Sequence, residues 1–267
     1  MNLSLTKHLS KLTSAPHIVL VHGMGSAATA WKPLTPFLQE RFNVITVDLP
    51  GHGQTPMISG QAMDPISIGE RIVHELKEQL GVTEFDVIGN SWGGWIALEM
   101  AASFPNSVRS VTALAPAGFW LATYVQRSPG TSSLRFLAKN SVALAPTFLK
   151  YEFSRKLGFA EVSPHWRNFS YELCLDATLA MAKSEGYFPA WDGMLHKRFD
   201  SQIDSNIPVK IIFGDSDRTL PATTCQERTM APKHSQWIIF EECGHAPMWD
   251  NTEKVAAHVF EIAGAYR

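Results

Sequence analysis

Short apolar runs separated by longer amphipathic stretches organise this chain. Residues 17–21 carry Ile18, Val19, Leu20 and Val21 in succession, and comparable runs occupy 43–47, 85–88, 110–115, 209–213 and 237–240. Their apolar residues are consecutive rather than alternate, so these segments are expected to be strands covered on both faces, as in a parallel sheet flanked by helices. Between them the period lengthens to that of a helix. Residues 66–80 set Ile68, Ile72, Val73, Leu76 and Leu80 on one face, 92–103 follow directly on the third strand, and 252–265 align Val255, Val259 and Ile262. This alternation predicts an α/β fold with a doubly wound, mostly parallel sheet.

One stretch breaks the rhythm. From about 118 to 196 no strand pattern recurs, and half of the chain's 28 Trp, Tyr and Phe residues fall there. It reads as a helical insertion over the sheet's C-terminal edge. The chain then divides into a core of residues 1–117 and 197–267 and a helical cap of 118–196. Most of the aromatics are expected to fill the insertion's own interior. A few, with Trp120, Tyr124 and Trp191 as candidates, are expected to line a substrate pocket, because ligands of open α/β sheets bind outside the carboxyl ends of the strands.

Composition narrows the function classes. A chain of 267 residues can bury a sizeable core without disulfides or a structural metal. Its formal net charge of -2 gives no electrostatic reason to expect a nucleic-acid partner or an anionic membrane surface. Cys174, Cys225 and Cys243 are widely spaced with no C-x-x-C pair, which suits reduced thiols. No apolar run reaches the ~18 residues of a membrane span, and residues 1–16 lack the apolar core of a secretory leader. The expectation is a cytoplasmic protein, monomer or small homo-oligomer, acting on a small molecule. No metal or cofactor is implied: no His/Cys/Asp cluster has ligand spacing. Gly23-Met24-Gly25 also lacks the further glycine, or the lysine, of a phosphate-binding loop.

The residues that carry chemistry sit at the ends of the expected strands. Gly89-Asn90-Ser91-Trp92-Gly93 matches G-x-S-x-G, a pattern that arises by chance in very roughly one chain in ten of this length, but here it lies between a strand and a helix. A serine on that turn has a strained backbone and an exposed hydroxyl; otherwise the segment is a glycine-rich turn with a solvated serine. Serine needs a base to attack at neutral pH. Of the 10 histidines, His245 follows the last strand in Cys243-Gly244-His245-Ala246-Pro247, while His22 and His52 are held in glycine loops that suggest backbone-shaping roles. Asp215 and Asp217 both follow the strand at 209–213, and either can orient the imidazole or cap an Asx-type turn. The chain order Ser91, Asp217, His245 is that of a strand-ordered Ser-Asp-His triad. Glycines after the first apolar run either form a plain turn or let a backbone N–H point at a developing oxyanion, the expected donors being the amides of Met24 and Trp92.

Together these pieces resemble the α/β-hydrolase superfamily. The matching segments are His22-Gly23 with Trp31, Asp48-Leu49-Pro50-Gly51-His52-Gly53, Gly89-Asn90-Ser91-Trp92-Gly93-Gly94, Gly214-x-x-Asp217 with Pro221, and Gly244-His245-x-Pro247. The family places its acid third after that glycine, which favours Asp217, and the insertion occupies the place of the family's cap. The family's first strands have little sequence here to form from. Haloalkane dehalogenases and epoxide hydrolases of this fold use an aspartate nucleophile, so Ser91 argues against both. The resemblance implies a serine hydrolase, with a carboxylesterase acting on a small or medium apolar or aromatic ester as the first expectation. Gly89-Asn90-Ser91-x-Gly93-Gly94 and Trp249 also resemble carbon–carbon hydrolases of meta-ring-fission products, for which Arg127, Arg135 or Arg155 would meet a substrate carboxylate. That subgroup's usual proline after His22-Gly23 is missing. Two other readings are a non-catalytic small-molecule receptor on the same fold and cofactor-free perhydrolase chemistry.

Overall fold

The computed structural model describes residues 2–127 and 142–264, with Ser133, Arg135, Phe136, Lys139 and Asn140 between them. Its strands are β1 (Ser4–His8), β2 (His17–Val21), β3 (Asn43–Asp48), β4 (Phe85–Asn90), β5 (Val108–Leu114), β6 (Val209–Gly214) and β7 (Gln236–Phe240). They form one sheet in the order β1-β3-β2-β4-β5-β6-β7. Every neighbouring pair is parallel except β1 with β3. The helices, in chain order, are α1 (Thr35–Leu38), α2 (Pro65–Leu80), α3 (Trp92–Ser103), α4 (Ala145–Phe148), α5 (Glu152–Phe159), α6 (Tyr171–Lys183), α7 (Tyr187–Met194), α8 (Ala222–Cys225), α9 (Pro247–Asp250) and α10 (Thr252–Gly264).

The expected sheet is present, and its differences from expectation have simple causes. β1 was not foreseen: Ser-Leu-Thr-Lys-His is a polar edge strand, partly exposed along its length, so it lacks an apolar run. β5 begins two residues before the expected 110, because Arg109 pairs with Asp86 on neighbouring β4 at 2.6 Å and so sits in the sheet despite its charge.

Consecutive strand residues feed opposite cores. Val19, Val21, Val87, Val111 and Ile211 face α2 and α3, whereas Ile18, Leu20, Ile88, Leu114 and Ile212 face α10 and the turn at Leu34–Leu38. Helix α2 starts on Asp64, whose carboxylate accepts the Ser67 N–H at 3.2 Å, and stops at Gly81 with φ 65°. Helix α3 is buried on every side from Trp92 to Ala101, as a helix wedged between sheet and neighbouring helices must be.

Between β5 and β6 the described residues form helices and no strand. The aromatics there divide three ways instead of mostly filling a local core. Phe159, Trp166 and Phe169 make a separate small core with Cys174; Phe119, Trp120, Tyr187 and Trp191 join the core of the sheet; Phe148, Tyr151 and Phe153 stay exposed. A segment laid on the sheet edge cannot close a core of its own over its full length, so its two ends borrow the sheet's.

The topology marks one crevice. From β2 the chain moves outward to β3 and then returns to β4 on the other side of β2. At such a switch point the loops after the two adjacent strands diverge and leave a cleft. Gly23 follows β2 and Ser91 follows β4, so both lie at its mouth.

Candidate active site

Ser91 sits between the last residue of β4 and the first of α3 with φ 57° and ψ -120°. A non-glycine residue in that region is strained and persists only where its surroundings demand it. Here they do. The Ser91 N–H donates to Leu114 O at 2.9 Å, and its carbonyl accepts from Gly94 and Ala117, each at 2.9 Å. The glycines around it are required by packing. A Cβ on Gly89 would stand 2.0 Å from Gly93 O, and one on Gly93 would stand 2.2 Å from Val21 O. The turn is therefore pressed against both adjacent strands, which points the serine out of the sheet's C-terminal edge.

His245 and Asp217 meet across the loops after β7 and β6. His245 Nδ1 lies 2.9 Å from Asp217 Oδ2, and both residues are buried. The other carboxylate oxygen of Asp217 accepts the N–H groups of Thr219 at 2.9 Å and Leu220 at 2.8 Å. Burial pushes the Asp217 carboxyl up, but the His245 charge, its hydrogen bond and the two backbone donors outweigh it and hold the group below the usual carboxylate range. An ionised Asp217 makes Nδ1 the protonated nitrogen of a neutral His245 and leaves Nε2 as an acceptor.

Asp215 takes the turn role instead. It accepts from Ser216 Oγ at 2.9 Å and Cys243 N–H at 3.3 Å, with no contact to His245 among the described residues.

Asn90 ties the serine turn to the histidine loop. Its Nδ2 donates to His245 O at 3.0 Å and to Leu114 O at 3.1 Å. No hydrogen bond joins the Ser91 hydroxyl to His245 among the described residues; such bonds are often long before substrate binds.

The loop after β2 lies against the serine. A Cβ on Gly23 would stand 3.1 Å from Ser91 Cβ. The Met24 N–H has no acceptor among the described residues. That loop is held from behind by the Asp48–Gly53 segment: Asp48 accepts Ala28 N–H at 2.7 Å and Gln54 N–H at 3.0 Å.

The two glycine-flanked histidines complete the support. His22 donates from Nδ1 to Gly23 O at 2.7 Å and accepts Leu49 N–H at 3.1 Å. His52 donates from Nδ1 to Pro50 O at 2.9 Å and accepts Gly25 N–H at 3.1 Å. Burial pushes His22 down to about 4, and burial with the nearby His22 pushes His52 down to about 3. Both stay neutral.

The segment between β5 and β6 closes over this loop through Met181 and Tyr187, neither of which was among the pocket candidates read from the sequence. A Cβ on Gly25 would stand 2.7 Å from Met181 Cε and 3.0 Å from Tyr187 Cδ2. Trp120, Tyr124 and Trp191 are brought together in a chain of edge-on rings, 5.1 Å between the first two centroids and 5.4 Å between the last two. Trp120 also packs on Trp95, one turn into α3. Of the three arginines two are firmly engaged, and Arg155 makes one long contact while its buried Nε has no partner among the described residues. Arg127 forks onto Asp192 at 2.8 and 2.6 Å, Arg135 donates to the carbonyls of Met181 at 2.7 Å, Ala182 at 2.5 Å and Ser184, and Arg155 donates to Phe169 O at 3.4 Å. Among the described residues no group of three or more His, Cys, Asp or Glu could hold a metal ion. Burial raises the thiols of Cys174 to about 11 and Cys243 to about 12, so neither is poised as a nucleophile.

The structure brings together at one sheet edge a strained serine at a strand–helix turn, a buried His–Asp pair and a glycine loop beside the serine. The family model described as alpha/beta hydrolase fold matches residues 16–252. The chain belongs to the alpha/beta hydrolase fold family.

Within that family, bovine (Bos taurus) monoacylglycerol lipase ABHD6 is 24% identical over 263 residues, which cover 90% of this chain and 73% of the relative. A thermophilic esterase from Thermogutta terrifontis superposes with a TM-score of 0.71 at 21% identity, covering 97% of this chain and 92% of that one. A meta-cleavage product hydrolase from Pseudomonas fluorescens IP01, CumD, superposes at 0.70 with 18% identity, covering 99% and 96%. At these identities the solved structures speak to fold. Among the described residues no helix is long and apolar enough to cross a membrane.

Proposed function

We propose that this alpha/beta hydrolase fold protein is a serine carboxylic ester hydrolase, with residues 118–196 as a cap over the site. Ser91 attacks the ester carbonyl while His245 Nε2 takes its proton. Asp217 holds the ring through Nδ1 and stabilises the imidazolium. The tetrahedral oxyanion is met by the N–H groups of Met24 and Trp92. Proton return from His245 expels the alcohol and leaves an acyl-Ser91. Water, deprotonated by the same imidazole, then releases the acid, so ester and water become acid and alcohol with the triad restored.

The observation that carries this reading is the meeting of two strained or costly features at one sheet edge. Ser91 is held at φ 57°, and a buried His245–Asp217 pair is tied to the same turn by Asn90. Neither feature has a structural need at that place, whereas nucleophilic catalysis needs both.

An ester is preferred to a vinylogous diketo acid for one further reason: Arg127 already forks onto a carboxylate and Arg135 onto backbone carbonyls. A carboxylate substrate would have to displace those partners. The apolar roof, with Met181 and Tyr187 beside Gly25, favours an acyl group that buries carbon, at about 25 cal/mol per Å² removed from water.

The test is fluorophosphonate labelling with mapping of the modified residue, followed by steady-state rates on aryl esters of graded acyl length and on a diketo acid from catechol meta-cleavage. Labelling at Ser91 and higher kcat/KM on a medium-chain aryl ester are expected. Absence of label at Ser91 refutes the nucleophile, and preference for the diketo acid refutes the ester. Ligand-induced stabilisation without turnover returns the protein to the receptor class.

A further inference from the structure

Four backbone groups from Cys243 to His245 are held by polar partners; one of those partners, Val162 O, and the residue that braces another, Ser163 against Asp250, come from the segment between β5 and β6. Cys243 N–H is bound by Asp215 at 3.3 Å, and Asn90 holds His245 O at 3.0 Å. His245 N–H donates to Val162 O at 2.7 Å, and Gly244 N–H donates to Asp250 Oδ2 at 2.7 Å. The other oxygen of Asp250 accepts the hydroxyl of Ser163, which in turn accepts His165 N–H at 2.9 Å. Ser163 is 1% exposed. The fit is close: a Cβ on Gly244 would stand 2.1 Å from Val162 O and 2.8 Å from Ser163 Cα. Trp249, next to Asp250, adds an edge-on contact to Phe169 of the same segment at 5.6 Å.

Resting on the hydrolase reading above, we propose that Asp250 and Ser163 are positioning residues that lock the His245 backbone to the Val162–His165 strip, so that the cap sets the base as well as roofing the substrate. Asp217 fixes the ring of His245, but it cannot fix where the ring's Cα stands. That position depends on Gly244 and His245 N–H, and both are held by this clamp. Mispositioning a catalytic base by about 1 Å can cost on the order of a hundredfold in rate without altering substrate affinity. The hydrogen-bond pattern, not the charge, does the positioning. In Asp250→Asn the amide oxygen can still accept Gly244 N–H and its NH₂ can donate to Ser163 Oγ. Asp250→Ala removes both contacts.

The test compares Asp250→Ala, Asp250→Asn and Ser163→Ala with wild type on p-nitrophenyl acetate, whose acyl group is too small to need the cap. It also measures the rate constant for inactivation by a small fluorophosphonate, which uses the same base. Asp250→Ala is expected to lose roughly 10–100-fold in kcat and a similar factor in inactivation rate, with KM within about twofold. Ser163→Ala should lose roughly tenfold, and Asp250→Asn should stay within about threefold of wild type. Wild-type kcat in folded Asp250→Ala overturns the proposal. So does a kcat loss with unchanged inactivation rate, because that places the effect on binding or release. If Asp250→Ala does not fold, Ser163→Ala decides on the same two rates. If wild type neither turns over the acetate ester nor takes the label at Ser91, the hydrolase reading fails and the clamp with it. An active, labelled wild type with unaffected variants overturns the clamp alone.

Discussion

Gly25 donates its N–H to Nε2 of His52 at 3.1 Å, across 27 residues of chain. With Nδ1 of the same ring turned to Pro50 O, the imidazole has one nitrogen donating and one accepting, so it is fixed as a single neutral tautomer. His22 is fixed in the same way between Gly23 O and Leu49 N–H. Both rings are thus used up as backbone partners, which leaves neither a free nitrogen to act as a base.

This makes the fold sensitive to mild acid. In the native state His22 takes up a proton only at about 4 and His52 only at about 3, against 6.5 for an ordinary histidine. Below the ordinary value the unfolded chain binds protons that the native chain does not, so stability falls as pH falls through the window from 6.5 toward 4. By about pH 5 each ring costs about 2 kcal/mol relative to neutrality. Two such losses are a large part of a typical 5–15 kcal/mol. Urea midpoints at about pH 7 and about pH 5 check this; an unchanged midpoint would mean that the rings are solvated in solution.

The glycines of the serine turn and a glycine on the surface should respond oppositely to alanine. Gly89→Ala places a Cβ 2.0 Å from backbone at Gly93, which no side-chain motion relieves, so loss of soluble folded protein is expected. Gly158 in α5 has open space around its Cβ and no positive φ. Gly158→Ala should therefore stabilise by about 0.5–1 kcal/mol. Thermal melts of the two variants decide it; a Gly89→Ala that melts like wild type would mean that the turn can open to admit a Cβ.

What the chain reveals without coordinates follows the range of its interactions. The glycines at 23, 89 and 93 and the strand ends they follow are visible because tight backbone approach leaves a local mark in residue type. β1 is hidden because an edge strand with one polar face carries no apolar run. Met181 and Tyr187 beside Gly25, and Ser163 beside Asp250, are hidden for another reason: each pair joins segments far apart in the chain. A methionine thioether or a serine hydroxyl fits many surroundings, so residue type alone does not point to a partner. The aromatics of the insertion illustrate the limit: their composition is plain, but whether Trp120 or Phe153 ends inside or outside depends on which part of the segment meets the sheet.

Asn90 offers a test of the link between serine turn and histidine loop. Its amide satisfies two buried carbonyls, Leu114 O and His245 O. Asn90→Asp replaces that donor with an acceptor facing both. The expected cost is about 1–3 kcal/mol for each carbonyl left unpaired, with a drop in kcat larger than any change in KM. Retained stability and rate in purified Asn90→Asp would show that the bridge is dispensable.

The sharpest discrimination lies between the two aspartates of one loop. Asp217 Oδ2 faces His245 Nδ1 at 2.9 Å, while its Oδ1 is committed to the N–H groups of Thr219 and Leu220. In Asp217→Asn the oxygen must stay with those two donors, so the amide NH₂ turns toward Nδ1. Two donors then oppose each other unless the imidazole shifts its proton to Nε2, which is the tautomer unable to accept from Ser91. A loss of about 10³–10⁴-fold in kcat is expected, with the fold preserved because the side chain keeps its shape and its backbone contacts. Asp215→Asn meets a different situation. Its Oδ1 accepts from Ser216 Oγ and Cys243 N–H, contacts an amide oxygen can also accept, and no partner requires the negative charge. Less than about a tenfold loss is expected there. Steady-state rates on one aryl ester for both variants make the comparison. If Asp215→Asn is the more damaged of the two, the buried His245–Asp217 pair is not the one that drives turnover.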